Sequence, residues 1–377
     1  DVESKIVLLC ARTELSLADI DELKKCLGRS PDWSRIRTLG RHFSVSSRIL
    51  RNLTKHCAQD IPPDFKAFVD DEVRRRQRRK MLQELQCVRL YRLVTGAGFL
   101  FLPFKGPALA ALCYSDPVER GFGDLDFFVE AEFVPAIQSL LLRDGFAPVH
   151  YGDSSLPADF FQSDLFRGFT DENSFSKNDF LVVDLHWRIL PKYLTKHNVV
   201  VDPAHSATIQ LCGQSLPTLE PETYMVVLSV HGTKHQWSRL RGVIDIAELV
   251  ANSQLNWDKV LDYGSKYRVD GMIDLALYLA RRFINPQLVF PQAIEQRIAR
   301  NNRLPILAEK SLRNWFIRDS ESEYIRNYMR YHLLAMDSFA DRVRCVALWA
   351  VQPTVADYIS CPLPAVFYPL YSLIHPL

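Results

Sequence analysis

Residues 99–130 read FLFLPFKGPALAALCYSDPVERGFGDLDFFVE. Positions 99–104 form a short apolar run, the length of a buried strand rather than of a helix. Lys105-Gly106-Pro107 ends it, and Pro107 suits the first turn of a helix continuing to Tyr114. A loop with Asp116, Pro117 and Gly121-Phe122-Gly123 leads to a second predicted strand over 124–130. Beyond it, Phe133, Ile137, Leu140 and Leu141 recur at helical spacing across 132–144. Residues 180–187, FLVVDLHW, are a third predicted strand. Strands separated by helices imply a sheet core with helices packed on it.

Outward from this core the chain is helical. Before it, Leu8, Leu9, Ile20, Leu23 and Leu27 mark helices broken at 28–31, and Asp32 is placed to cap the next one. A long helix is predicted over 64–97. It carries Arg74, Arg75, Arg76, Arg78, Arg79 and Lys80, either as a solvated face beside acidic neighbours or as a phosphate or RNA contact. After Pro217, helices are expected at 224–235, 241–251, 257–267 and 270–284. The expected organisation is an N-terminal helical region (1–97), a sheet-bearing core (98–217) and a C-terminal helical region (218–377). No internal repeat or low-complexity segment is seen.

Apolar residues make up 47% of the 377 and charged residues 24%, so a sizeable core is affordable and extended disorder is excluded. A net charge of +2 is too small to imply a polyanion partner, and no DNA partner is expected. The eight cysteines include no C-x-x-C pair and read as reduced core residues. Early Asp1, Glu3 and Lys5 argue against a signal peptide, and no uncharged run is long enough for a membrane span. A cytoplasmic location is therefore expected. Pro362, Pro364, Pro369 and Pro376 interrupt the uncharged tail, which is expected to pack on the fold.

The chemistry centres on Asp124 and Asp126. Residues two apart on a strand share a face, and two carboxylates that close are costly without a cation between them. Oxygen ligands of this kind suit Mg²⁺, or Mn²⁺ in its place. Taken alone, the pair could equally be acids solvating a strand start. Asp184 changes the balance, because a charge inside the apolar strand LVVDLHW needs a partner. That partner is either the same metal or an arginine such as Arg188 or Arg120. The turn at Lys105 and Gly106 offers close backbone approach and the N–H groups of a helix start, which suit a triphosphate. Lys105 and Arg120 could add positive charge there. These parts together suit metal-assisted phosphoryl transfer, with Asp124, Asp126 and Asp184 as catalytic and metal-ligating residues and Asp184 assisting removal of the acceptor's proton.

The same residues resemble a known family, the uncharacterised bacterial nucleotidyltransferases of the DNA polymerase β superfamily. The likeness is carried by FKGPAL at 104–109, YSDP at 114–117, Arg120, GDLDFFV at 123–129, Gly145-Phe146 and DLHWR at 184–188. It continues in HGTKHQW at 231–237, Leu240 and Asp245-Ile246-Ala247, and extends to Asp32-Trp33 and to Asp357 and Pro362 in the tail. The resemblance implies an α+β fold: a small mixed sheet forming the nucleotidyltransferase core, flanked by helical regions. It implies transfer of a nucleoside monophosphate, AMP favoured, from an NTP such as ATP, with release of pyrophosphate. The acceptor would be a small molecule, a peptide or protein, or an RNA end. Two departures weaken the triphosphate contacts. The superfamily's Gly-Ser turn is here Lys105-Gly106, and the spacer to Asp124 is long. A catalytically inactive nucleotide-binding or protein-interaction module on the same fold is therefore the alternative.

His231 and His235 lie four apart on a predicted helix and share a face. A zinc site would need a third ligand and the H-E-x-x-H pattern is absent. Through the resemblance, His231, Lys234 and His235 become nucleotide-binding candidates beside Lys105, Gly106 and Arg120; otherwise the histidines are structural. Asp245 could orient one of them. His186 shares the face of Asp184 and could support it.

Overall fold

The structure is a computed structural model that describes residues 1–149, 160, 163–178, 181–202, 205–316 and 321–375. Phe180, where the third strand was expected to begin, and Pro376 lie outside the described residues. Two compact units are built, each from three stretches of chain: Asp1–Leu82, Ala110–Gly121 and Pro221–Ala335 in one, Gln83–Leu109, Phe122–Glu220 and Met336–Leu377 in the other.

The second unit holds the sheet and the fold is α+β, as expected. The strands are β1 (Leu102–Phe104), β2 (Asp124–Phe128), β3 (Ala147–Pro148), β4 (Glu172–Lys177) and β5 (Leu181–His186), in the spatial order β1-β2-β5-β4-β3. β2 and β5 run parallel and the other pairs antiparallel. The first strand is shorter than the apolar run, beginning only at Leu102, and the second ends at Phe128. β4 was not legible, since ENSFSK shows little apolar alternation. A further hairpin, β6 (Ala207–Leu211) and β7 (Gln214–Thr218), is tied to β1 by the Thr218 hydroxyl donating to the Pro103 carbonyl at 2.8 Å.

Register sorts the residues by face. Leu125 and Phe127 of β2, Val183 and Leu185 of β5 and Phe175 of β4 are buried together, and Phe101 stacks on Phe127 with ring centroids 4.0 Å apart. That face is the apolar floor. The alternate residues, Asp124, Asp126, Asp184, His186, Glu172 and Ser174, occupy the opposite face.

The other unit is helical. Helix Pro221–Lys234 is buried along most of its circumference, including Tyr224, Met225, Val226, Val227 and Val230, as a central helix must be. A buried charge inside this unit is paired at Arg48. Arg48 meets Glu248 at 2.5 Å and Glu119 at 3.1 Å. On the basic helix segment, Arg75 and Arg76 pair with Asp71 and Glu72 one turn earlier, which fits the solvated-face reading. No helix among the described residues is long and apolar enough to cross a membrane.

Candidate active site

Parallel pairing of β2 with β5 sets Asp126 directly beside Asp184, and Phe128 beside His186. One ligand atom from each of Asp126, Asp184 and His186 lies within 4.8 Å of the others. This group could hold a metal ion. Its composition differs in emphasis from the expected triad of carboxylates, because an imidazole enters it. Asp124 sits two residues earlier on the same face, half-exposed, and its charge helps to push the Asp184 carboxyl upward.

His186 is held from both sides. Its Nε2 lies 2.9 Å from Asp126 Oδ1 and its Nδ1 2.9 Å from Glu172 Oε2, while the Phe104 ring meets it edge-on at 5.0 Å. Burial alone would lower the imidazole pKa, but the bonds to the two carboxylates outweigh it and raise it to about 9. Asp126 is buried, which opposes ionisation, yet Lys105 and His186 hold its carboxyl below the usual range. Lys105 Nζ stands 3.3 Å from Asp126 Oδ1. Its own burial is overcome by Asp126, then Glu172 and Asp124, so the ammonium is raised.

Asp184 is treated differently. Burial and the neighbouring Asp126 drive its carboxyl up to about 6, against a hydrogen bond from Ser174. Its Oδ1 is buried and has no hydrogen-bond partner among the described residues. The alternative of an arginine partner does not hold: Arg188 reaches toward Asp171, and Arg120 is paired with Asp245.

The turn before the site is tight. Lys105 has φ 55° and Gly106 φ 38°, both left-handed. A Cβ on Gly106 would lie 3.1 Å from the Asp124 carbonyl oxygen. The glycine is thus required twice, by its backbone and by the close approach of β2. Helix Gly106–Cys113 begins at this turn.

Lys105, Gly106, Asp124, Asp126 and Asp184 are therefore brought together in the sheet unit. Arg120, His231, Lys234 and His235 belong to the helical unit. There Arg120 donates from Nε to Asp245 Oδ1 at 2.8 Å, and Tyr114 donates to the same oxygen at 2.6 Å, so Asp245 serves these two. The rings of His231 and His235 meet edge-on at 4.7 Å. Just beyond, Gln236 and Trp237 are both left-handed at φ 52°, and the Trp237 ring lies flat on Gly232. Glu172 escaped the sequence reading because β4 gave no periodic signal. His186 carried one, its two-residue offset from Asp184.

Residues 29–285 match a family model described as an uncharacterised nucleotidyltransferase. No curated protein and no solved structure matches the chain.

Proposed function

The chain belongs to this family of uncharacterised nucleotidyltransferases, and from that membership we propose that it transfers a nucleoside monophosphate, with AMP favoured, from an NTP to an acceptor nucleophile. The observation that carries this reading is the side-by-side pairing of Asp126 and Asp184, with one carboxylate oxygen of Asp184 buried and without a partner among the described residues. A buried acceptor atom with no donor among the described residues fits a cation, and the paired carboxylate oxygens of Asp126 and Asp184 fit Mg²⁺ or Mn²⁺. Asp126 and Asp184 would hold it, with Asp124 alongside and His186 orienting the Asp126 carboxylate. When bound, the ion would supply positive charge against the triphosphate and the developing pyrophosphate.

The protein's own groups do the rest. Lys105, fixed over Asp126, offers an ammonium to the phosphates, and the left-handed turn at Gly106 lets backbone N–H groups at the helix start approach them. His231, Lys234 and His235 of the helical unit enter only as separate nucleotide-binding candidates. Arg120, buried against Asp245, shapes its own segment of the helical unit. Asp184 takes up the acceptor's proton as the acceptor oxygen bonds to the α-phosphorus. The α–β phosphoanhydride bond breaks and pyrophosphate leaves with its electrons. The acceptor is a small molecule, a peptide or protein side chain, or an RNA end.

A second reading rests on one observation. Asp126 is already neutralised internally by Lys105 and His186, as suits a nucleotide-binding or interaction module without turnover. One experiment addresses both. Calorimetric titration of each common NTP with Mn²⁺ into the wild type is expected to show metal-dependent binding that Asp126→Ala abolishes. Equal binding by the variant, or none by either protein, would reject the site. Binding with no pyrophosphate release across acceptor pools would select the second reading.

A further inference from the structure

Beyond β5 the chain turns through Arg188 and Lys192, and Arg344 of helix Phe339–Val351 reaches the same place. Each of these cations makes one bond to a backbone carbonyl. Arg188 Nη2 donates to Thr195 at 3.1 Å, Lys192 Nζ to Gly168 at 2.9 Å, and Arg344 Nη1 to Lys192 at 2.6 Å. Those bonds leave much of the guanidinium inventory unused. Arg188 Nε, Arg344 Nε and Arg344 Nη2 are buried and have no hydrogen-bond partner among the described residues. The nearest carboxylates stop short of bonding distance, with Asp171 Oδ1 3.9 Å from Arg188 Nε and Asp341 Oδ1 4.0 Å from Arg344 Nε.

The cations also crowd one another. Arg344 is near enough to Arg188, and Arg188 to Lys192, for their like charges to act on one another, with Asp171 opposing both. Buried donors left unmade are costly, and like charges side by side add to the cost. A purely structural role would account for the three backbone bonds but not for three idle donor nitrogens held out of water. An anion with several oxygens accounts for both. Guanidinium forks match tetrahedral oxyanions by paired N–H···O bonds, with lysine as a supporting point charge.

We propose that Arg188, Lys192 and Arg344 form an oxyanion site that binds a phosphoryl group. The phosphoryl group belongs either to a nucleotide or to a phosphorylated small molecule. The site is defined by protein donors alone and does not rest on the transferase reading, so it is tested without divalent metal.

The full chain in EDTA is titrated with inorganic phosphate by calorimetry, and its thermal shift is followed in parallel. Saturable binding and a rise in Tm are expected. Arg344→Gln and Arg188→Gln should each weaken phosphate about tenfold or more, the scale of a lost charge-assisted pair, while Arg344→Lys should recover part of the loss. Should Arg188→Gln fail to fold by circular dichroism, the two Arg344 variants carry the test. Competition then separates the sources: displacement by ATP assigns the site to a nucleotide, and displacement by glucose 6-phosphate but not ATP assigns it to a phosphorylated small molecule. No saturable phosphate binding by the wild type, or unchanged affinity in the folded variants, overturns the proposal.

Discussion

At the scale of single residues, the two central aspartates carry opposite burdens. Asp126 is the shared counter-charge of Lys105 and His186, whereas Asp184 is repelled by Asp126 and has no partner at Oδ1 among the described residues. Removing one partner of a buried pair typically costs about 3–5 kcal/mol. Asp126→Asn should therefore lower the metal-free unfolding free energy substantially in urea titrations. Asp184→Asn should leave it unchanged or raise it. Equal destabilisation by both would contradict this assignment of charges. Gly106 allows a second expectation. Gly106→Ala puts a Cβ 3.1 Å from the Asp124 carbonyl at a φ of 38°, a strain of about 1–3 kcal/mol, read as a loss of stability and of metal-dependent nucleotide binding together. The acids and the glycine were legible in the sequence because each sits at a fixed offset within a strong apolar pattern. Glu172 was not, because a half-exposed glutamate on a polar strand looks like any surface residue. Nor was the arginine pairing of Asp184 settled in advance, since Arg188 and Arg120 were equally available and only the fold sends them elsewhere.

At the scale of elements, the core strands around Asp124 and Asp184 follow from apolar runs, while the short edge strand β3 and the polar β4 do not. Their pairing is supplied by the neighbouring strand more than by their own side chains. The parallel register of β2 and β5 is likewise invisible in a linear reading, and it is what makes the site. The end of helix Pro221–Lys234 illustrates another element-level constraint. A Cβ on Gly232 would fall 2.5 Å from the Trp237 ring, so Gly232→Ala must displace an indole that is almost fully buried. Overpacking of this kind costs about 1–3 kcal/mol, and the expected readout is a lower Tm with altered tryptophan fluorescence. A variant as stable as the wild type would mean that the indole can shift freely.

At the scale of the whole molecule, one buried histidine makes stability depend on acid. His332 is fully buried, with Nε2 3.0 Å from the Thr233 carbonyl oxygen and 3.3 Å from that of Lys234. Burial lowers its pKa to about 4, against 6.5 as the ordinary value. The unfolded chain thus binds a proton below about pH 6.5 that the folded chain refuses until about pH 4. Stability from this group is complete above the unfolded value and is lost as pH falls across that window, by on the order of 3 kcal/mol at about 1.4 kcal/mol per unit. His332→Phe should flatten that part of the pH–stability curve; an unchanged slope would exclude the assignment. A metal held at Asp126 and Asp184 would act globally too. Mn²⁺ should raise Tm, EDTA should reverse the rise, and Asp126→Asn should abolish it, since a ligand bound only by the folded state stabilises by mass action.

The three-stretch composition of each unit bears on how the chain is born. Emerging from the ribosome in order, residues 1–82 wait for 221–335 before their unit is complete, and the sheet-bearing unit, whose described strands end by residue 218, still waits for 336–377. The helical unit can close only once residue 335 is made and the sheet-bearing unit only once 336–377 follow, so a chain cut before residue 336 leaves the sheet-bearing unit without part of its cover. Nascent chains of this protein should be strong clients of ribosome-associated chaperones.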